Sequence, residues 1–468
     1  MTLWMTWLGA VWQLRSSVRH EKTFLWVVVI LASFSVRTDL AGVTSFVRSH
    51  WLVPACYRRL LDAFHSRSVD SVRLKILWVQ LVLKLFAAHL VMCNGRIVLL
   101  ADGIKAPKEG RRMPGVKLLH QESTNNSKPE YVMAHSCQAV SMLVQAEGSH
   151  FAVPLTSQIH EGIVFSNRDS RTLLDKLLLM IGGLQLQRSF YLVADAYYSS
   201  RKICLGLLAQ GGHLISRVRS NAVAYEEAVV LSGKRKRGRP QLYGKKIKLK
   251  MFFKDLTAFT KIDSTIYGER GIKIQYFVLD LILRPLQSKI RFVWVVHPTR
   301  GCIILMSTDL TLQAQKIIEL YGLRFKIEVS FKQAMHTLGA YGYRFWMKTM
   351  EKVRRGSGDQ YMHHRSADYR ESVKRKISAY NFHIQLGLIA QGMLQYLSIT
   401  FREEIWKGFG SWLRTMRTDI SPSEAVTAQA LRVALPEFLS SLPKQHILKK
   451  FLSDKIDWSR CPYFSLAG

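Results

Sequence analysis

The sequence is poor in acids, in paired cysteines and in apolar runs long enough to cross a bilayer. Its 468 residues hold 33 Asp and Glu against 67 Lys and Arg, a formal net charge of +34. The excess is spread along the chain and not gathered in a tail, so a whole surface faces a polyanion, with nucleic acid the leading partner. Six cysteines, Cys56, Cys93, Cys137, Cys204, Cys302 and Cys461, lie far apart with no CxxC pair. That spacing indicates neither a zinc site nor a disulfide framework and suits reduced thiols in a cytoplasmic protein. The best membrane candidate, "FLWVVVILASFSV" at 24–36, falls short of the roughly 20 apolar residues a bilayer needs and reads as a buried helix. No basic stretch precedes an apolar core in the first residues, which argues against a secretory signal. Internal repeats and long low-complexity tracts are also lacking. An anionic membrane is the rival partner, because basic and aromatic residues together suit a lipid surface. The mean hydropathy of +0.03 is consistent with a buried core and does not demand lipid.

What is present is a chain with 48% hydrophobic residues, enough to bury a large core and too long for one compact unit. Helical spacing in "YRRLLDAFHS" and "VRLKILWVQLVLKLFAAHL" marks residues 1–92 as a basic helical domain. The texture then changes to "RIVLLAD", a branched apolar run ending at Asp102, and "SFYLVAD" repeats the pattern at Asp195. Alternation in "EYVMAHSCQAVSMLVQAEG" and "HFAVPLTSQI" predicts antiparallel hairpins between them. The expected organisation is an α/β core over 93–204 and 301–350, interrupted by a β-rich insertion at 205–300 and followed by a helical region, 351–468.

Apolar strands that stop at an acid deliver that side chain to the edge of a buried sheet. Asp102 and Asp195 stand at two such ends, and Glu328 lies on a later helix. In "YGLRFKIEVSFK", about 100° per residue places Tyr321, Arg324, Glu328 and Lys332 on one polar line between apolar flanks. Taken alone, that line also describes a solvated face or a ladder of ion pairs. If the three acids meet, they offer hard oxygen donors suited to Mg²⁺. Two ions roughly 3.5–4 Å apart would support in-line phosphoryl displacement.

These residues resemble the Asp-Asp-Glu triad of bacterial insertion-sequence transposases. The helix resembles the Tyr-x2-Arg-x3-Glu-x6-Lys signature of the branch named for insertion sequence four. Tyr321, Arg324 and Glu328 match at the required spacing, whereas Met335 occupies the place of the final lysine. "ADGIKAPKEGRRMPGVKLLHQES" and "LMSTDLTL" are also similar to the family's segments. The resemblance implies an RNase H-like mixed-sheet core with a β-rich insertion, flanked by helical regions. It implies a DNA transposase that cuts element ends and joins 3′-hydroxyls to target DNA, with Asp102, Asp195 and Glu328 catalytic and binding two Mg²⁺ ions, for which Mn²⁺ can substitute. The expected partners are terminal inverted repeats, target DNA and a second copy in a paired-end dimer. An RNase H-like nuclease without strand transfer is the enzymatic alternative. A basic DNA-binding protein that has lost catalysis is the other, kept open by Met335.

Around the triad, Tyr321, Arg324 and Lys332 are candidate DNA contacts, with Lys332 taking over part of the missing lysine's role. Lys105, Lys108, Arg111 and Arg112 form a basic loop after Asp102. Arg237 and Arg239, in "KRKRGRP", form a candidate arm for DNA phosphates or a minor groove. His120 and His135 are more ordinary as surface or core histidines than as ligands. Glu109 and Glu122 compete with Asp102 by proximity in sequence, but neither ends a strand. Trp294 is available as an aromatic to trap a flipped base, although its spacing assigns it nothing.

Overall fold

The structure is a computed structural model describing residues 2–121, 129–228, 242–264, 266 and 268–461. Arg237, Arg239 and Glu122 lie outside the described residues. Nine of the thirteen strands that the large sheet has among the described residues organise it: β1 (Arg96–Pro107), β2 (Lys117–His120), β3 (Tyr131–Ala146), β4 (Ser149–Ile159), β5 (Phe190–Ala194), β6 (Gly212–Arg217), β7 (Lys273–Leu283), β8 (Ser288–His297) and β9 (Gly301–Ser307). In space they run β7-β8-β9-β6-β5-β1-β3, with β2 and β4 both paired to β3. The unit β4-β3-β1 is antiparallel, and β1, β5 and β6 are parallel neighbours. This mixed order is the RNase H-like arrangement.

The apolar run before Asp102 is continuous because both of its faces are covered. Ile97, Leu99 and Ala101 enter one hydrophobic cluster, and Val98 and Leu100 the other. The alternation that predicted a hairpin forms one, β3 against β4, with a register shift between Val140 and Ser141. Two of the sheet's details differ from expectation. β6 falls within the segment read as an insertion, yet it lies parallel beside β5 in the central sheet. The hairpins β7, β8 and β9 extend that same sheet through β6.

Helices close both faces. Helix α1 (Glu21–Val36) contains the apolar run at 24–36, and every residue from Phe24 to Val36 is buried. Among the described residues no helix is long and apolar enough to cross a membrane. Beneath the site lie α2 (Ala314–Gly322) and α3 (Lys326–His336), whose Ile317, Ile318, Leu320 and Ile327 pack on Val98, Leu100 and Val193. The 34-residue α4 (Ala367–Thr400) packs against β4 and α1. It also contacts α5 (Glu424–Ser441), so N- and C-terminal helices share one core. Trp4 stacks on Phe438 at 5.4 Å across that junction.

One predicted helix is divided. A 3₁₀ turn at Leu323–Phe325 separates α2 from α3. Gly322, a poor helix former, ends α2 where a Cβ would stand 2.9 Å from Ile266. Tyr321 therefore ends one helix, Arg324 lies in the turn, and Glu328 and Lys332 occupy the next.

Candidate active site

Asp102 and Asp195 come together through strand register. Ala101 pairs with Ala194 in the parallel β1–β5 ladder, so the acid that follows each stands at the same level on strands about 4.8 Å apart. Ser216 on β6 donates to the Asp195 carbonyl at 2.9 Å, which fixes the backbone at the end of β5. Glu328 enters from below in the first turn of α3, where the helix dipole favours a carboxylate.

Arg324 joins the two sources of acid. Its Nη1 donates to Asp102 Oδ2 at 2.8 Å and its Nη2 to Glu328 Oε1 at 2.8 Å. Burial lifts the Asp102 carboxyl above its ordinary pKa; Arg324 and the Gly103 N–H oppose the rise, and Glu328 and Asp195 add to it. Burial pulls Arg324 down, but Asp102, Glu328 and Tyr321 outweigh it and hold the guanidinium above its usual value. Burial also raises the Tyr321 phenol, against the pull of Arg324. Tyr198, buried three positions past Asp195 and raised by burial and then by Asp102, is a neighbour that sequence reasoning missed. Its sequence signal is weak, since "AYYSS" reads as an ordinary turn.

The donor chemistry suits a hard divalent cation: carboxylate oxygens near one another, with a guanidinium compensating two of them. In this side-chain arrangement no group of three His, Cys, Asp or Glu among the described residues is positioned to hold a metal ion. Glu328 and Asp195 are exposed, and Asp102 is partly buried.

The surrounding candidates divide. Lys332 is exposed on α3, and Met335, one turn on, packs against the core. Lys105 Nζ donates to the His120 carbonyl, and Lys108 Nζ to the Tyr341 carbonyl while lying 3.7 Å from the Tyr343 ring centroid. Burial lowers Lys108 to about 8. Arg111 and Arg112 are exposed and reach the carbonyls of Val353 and Lys348 at 3.2 Å. His135 is a core residue between Tyr343 and Pro114, and His120 is exposed beside Glu130. Trp294 is fully buried and its Nε1 donates to the Leu249 carbonyl at 2.7 Å. It supports the sheet extension and presents no face to a base, which corrects the expectation that it is available.

A family model described as Transposase DDE domain matches residues 149–384. A second, described as DDE superfamily endonuclease, matches residues 19–263. Each spans more than half of the chain, and the segment they share contains Asp195. A search of curated proteins found no match. Strand order and both family matches agree, and the chain belongs to the DDE transposase and endonuclease superfamily, with its RNase H-like core.

Proposed function

We propose that the protein is a metal-dependent transposase of the insertion-sequence-four-like branch, which cleaves phosphodiester bonds at transposon ends and joins the 3′-hydroxyls to target DNA. The observation that carries this reading is the shared guanidinium. Arg324 draws Asp102 and Glu328, from distant parts of the chain, to within 2.8 Å of one cationic group. A pair of like-charged carboxylates beside a third, Asp195, is costly unless cations compensate them. Two Mg²⁺ ions, or Mn²⁺, when bound would supply Lewis acidity and charge neutralisation at the reacting phosphate.

In this reading Asp102, Asp195 and Glu328 are the ligands. Arg324, once freed from its carboxylates, turns its planar fork to a DNA phosphate. Tyr321 hydrogen-bonds the backbone at the cut, and Lys332, one turn before Met335, adds a point charge in place of the lysine that Met335 replaces. Lys105, Arg111, Arg112 and the arm with Arg237 and Arg239 follow the duplex. Lys108, held by Tyr341, contributes mainly to the field. The basic helices of residues 1–92 read the terminal repeats, and the region 351–468 supports a dimer that pairs two ends in the bacterial cytoplasm.

The test is cleavage of end-bearing DNA by purified full-length protein with Mg²⁺. Asp102→Asn, Asp195→Asn and Glu328→Gln should each lower nicking about a thousandfold while DNA binding stays within about twofold of wild type. A wild-type rate for any one removes that residue from the site. Joining of a pre-cut 3′-hydroxyl end to a plasmid separates a transposase from a nuclease that only cuts.

A further inference from the structure

Behind α3 lies a pocket of about 420 Å³ that the cutting chemistry leaves unused. Lys326, Val329, Ser330 and Gln333 form its wall on α3. At 100° per residue they share one face, roughly 150° round the helix from Glu328. Residues 149–152 of β4 close a second side, and the loop that leads into α5 closes a third. Glu424, the first residue of α5, and Gln395 of α4 belong to the lining and are only 6% and 2% exposed.

The polar groups here are unbalanced. Gln395 Nε2 donates to Glu424 Oε1 at 2.9 Å and to the Ala152 carbonyl at 3.4 Å. Gln391, one turn earlier on α4, donates to the same Oε1 at 3.3 Å and to the Ser330 carbonyl at 3.0 Å. Both amides spend their N–H groups on these acceptors, and turning either one over would set oxygen against oxygen. Their Oε1 atoms are left buried with no hydrogen-bond partner among the described residues. Unmet acceptors beside a buried carboxyl call for a ligand rich in N–H donors, and a carboxylate calls for a cation. The cations of the lining are engaged elsewhere. Lys326 Nζ lies 5.0 Å from the Phe325 ring centroid, and Arg417 donates to Asp419 at 2.6 Å. The remaining walls are apolar, with Phe151, Val329, Trp406, Leu413 and Val426 among them. Val329 and Leu413 are exposed there.

We propose that this pocket binds an alkylammonium ion, its N–H donors on the Glu424 carboxylate and Gln395 Oε1 and its hydrocarbon stem along Val329, Trp406 and Leu413. A single positive charge is preferred over two, because Lys326 and Arg417 in the walls repel a second ammonium. An ion held there joins α3 to α4 and α5 and stabilises the folded chain by mass action. The site is separate from the three acids and does not depend on the DNA-cutting reading.

The test needs neither DNA nor catalysis. Full-length protein is titrated by calorimetry with n-butylammonium chloride at constant ionic strength. Wild type should bind one ion per chain, and its melting temperature should rise with the concentration of the ion. Tetramethylammonium, which has the charge but no N–H, and n-butanol, which has the stem but no charge, should each bind at least about tenfold more weakly. The diammonium of the same carbon chain should also bind more weakly than the monoammonium. Glu424→Gln and Gln395→Leu should each weaken butylammonium binding about tenfold, and Leu413→Ala about threefold, with circular dichroism unchanged. Leu413 lies in a loop, so its variant keeps the test readable where a buried one misfolds. Butylammonium binding no tighter than tetramethylammonium binding overturns the proposal. So does wild-type affinity in both Glu424→Gln and Leu413→Ala, which would put the ion elsewhere on the chain.

Discussion

Two arginines flank the helix that carries Glu328, and the fold holds them in opposite ways. Arg324, before its start, is compensated by two carboxylates and stays above its ordinary pKa. Arg37, beyond its end, is buried, donates to the Leu338 carbonyl and to Ser45 Oγ, and lies 4.7 Å and 4.9 Å from the ring centroids of Phe34 and Phe46. Burial lowers it to about 9, against a small lift from Asp39. Carbonyls and rings cannot replace water for a cation as carboxylates do, yet they suit the negative end of a helix. Arg37 therefore acts as a fixed cap on the turn that follows α3, through the Leu338 carbonyl. Arg324 is held by two carboxylates, and in the proposed reaction it is the one that exchanges its partners.

The largest effect should come from the fixed arginine. Arg37→Ala should lower stability in urea by about 3 kcal/mol, through lost charge-assisted hydrogen bonds and ring contacts. A loss below about 1 kcal/mol would mean that the cap is incidental. Arg324→Ala should cost only about 1 kcal/mol but should tighten Mg²⁺ binding about tenfold by calorimetry, because a competing cation has gone. Unchanged Mg²⁺ affinity would separate the guanidinium from the metal-binding acids.

The rear of α3 offers a third comparison. Gln391 Nε2 reaches the Ser330 carbonyl at 3.0 Å and, with Gln395, the buried Glu424 carboxyl. Burial raises Glu424 above the ordinary glutamate value of 4.5, while hydrogen bonds from its own backbone, Gln391 and Gln395 oppose the rise. Its folded pKa exceeds the unfolded one, so its contribution is complete below about 4.5 and declines as pH rises through the folded value. Glu424→Gln should consequently gain melting temperature over wild type as pH increases from 4.5 to 8, and a constant difference would show that Glu424 stays in one protonation state. The smallest effect is expected on the exposed face. Lys332→Ala should reduce the slope of log K against log salt by about one, and an unchanged slope would remove Lys332 from the DNA contacts.

Much of this region was legible in the chain because an apolar run that stops at an acid is a local signal. "RIVLLAD" and "SFYLVAD" are apolar, rich in branched and aromatic residues and stopped by an acid, as suits a run buried on both faces; β5 does end before Asp195, whereas β1 runs on past Asp102 to Pro107, because it keeps pairing with β3. The break at Gly322 was not legible, because the polar line through Tyr321, Arg324, Glu328 and Lys332 keeps helical spacing across it. The burial of Trp294 depends on Leu249 and on Phe252, 4.6 Å away, neither near it in sequence. The exposure of Trp346 is equally non-local, since "RFWMK" reads as mixed until Phe64 and Tyr380 claim one side of it.

By itself the sequence settled the charge of the surface, the apolar runs that stop at acids and the spacing of the cations around Glu328, because each depends on residue type and on periods of two or 3.6. Only the tertiary structure decided that β1 and β5 lie in register, that Arg324 spans Asp102 and Glu328, and that β6 belongs to the central sheet. Those outcomes depend on burial shared between segments far apart in the chain, where the free energy of packing selects one register and one neighbour that no local pattern records.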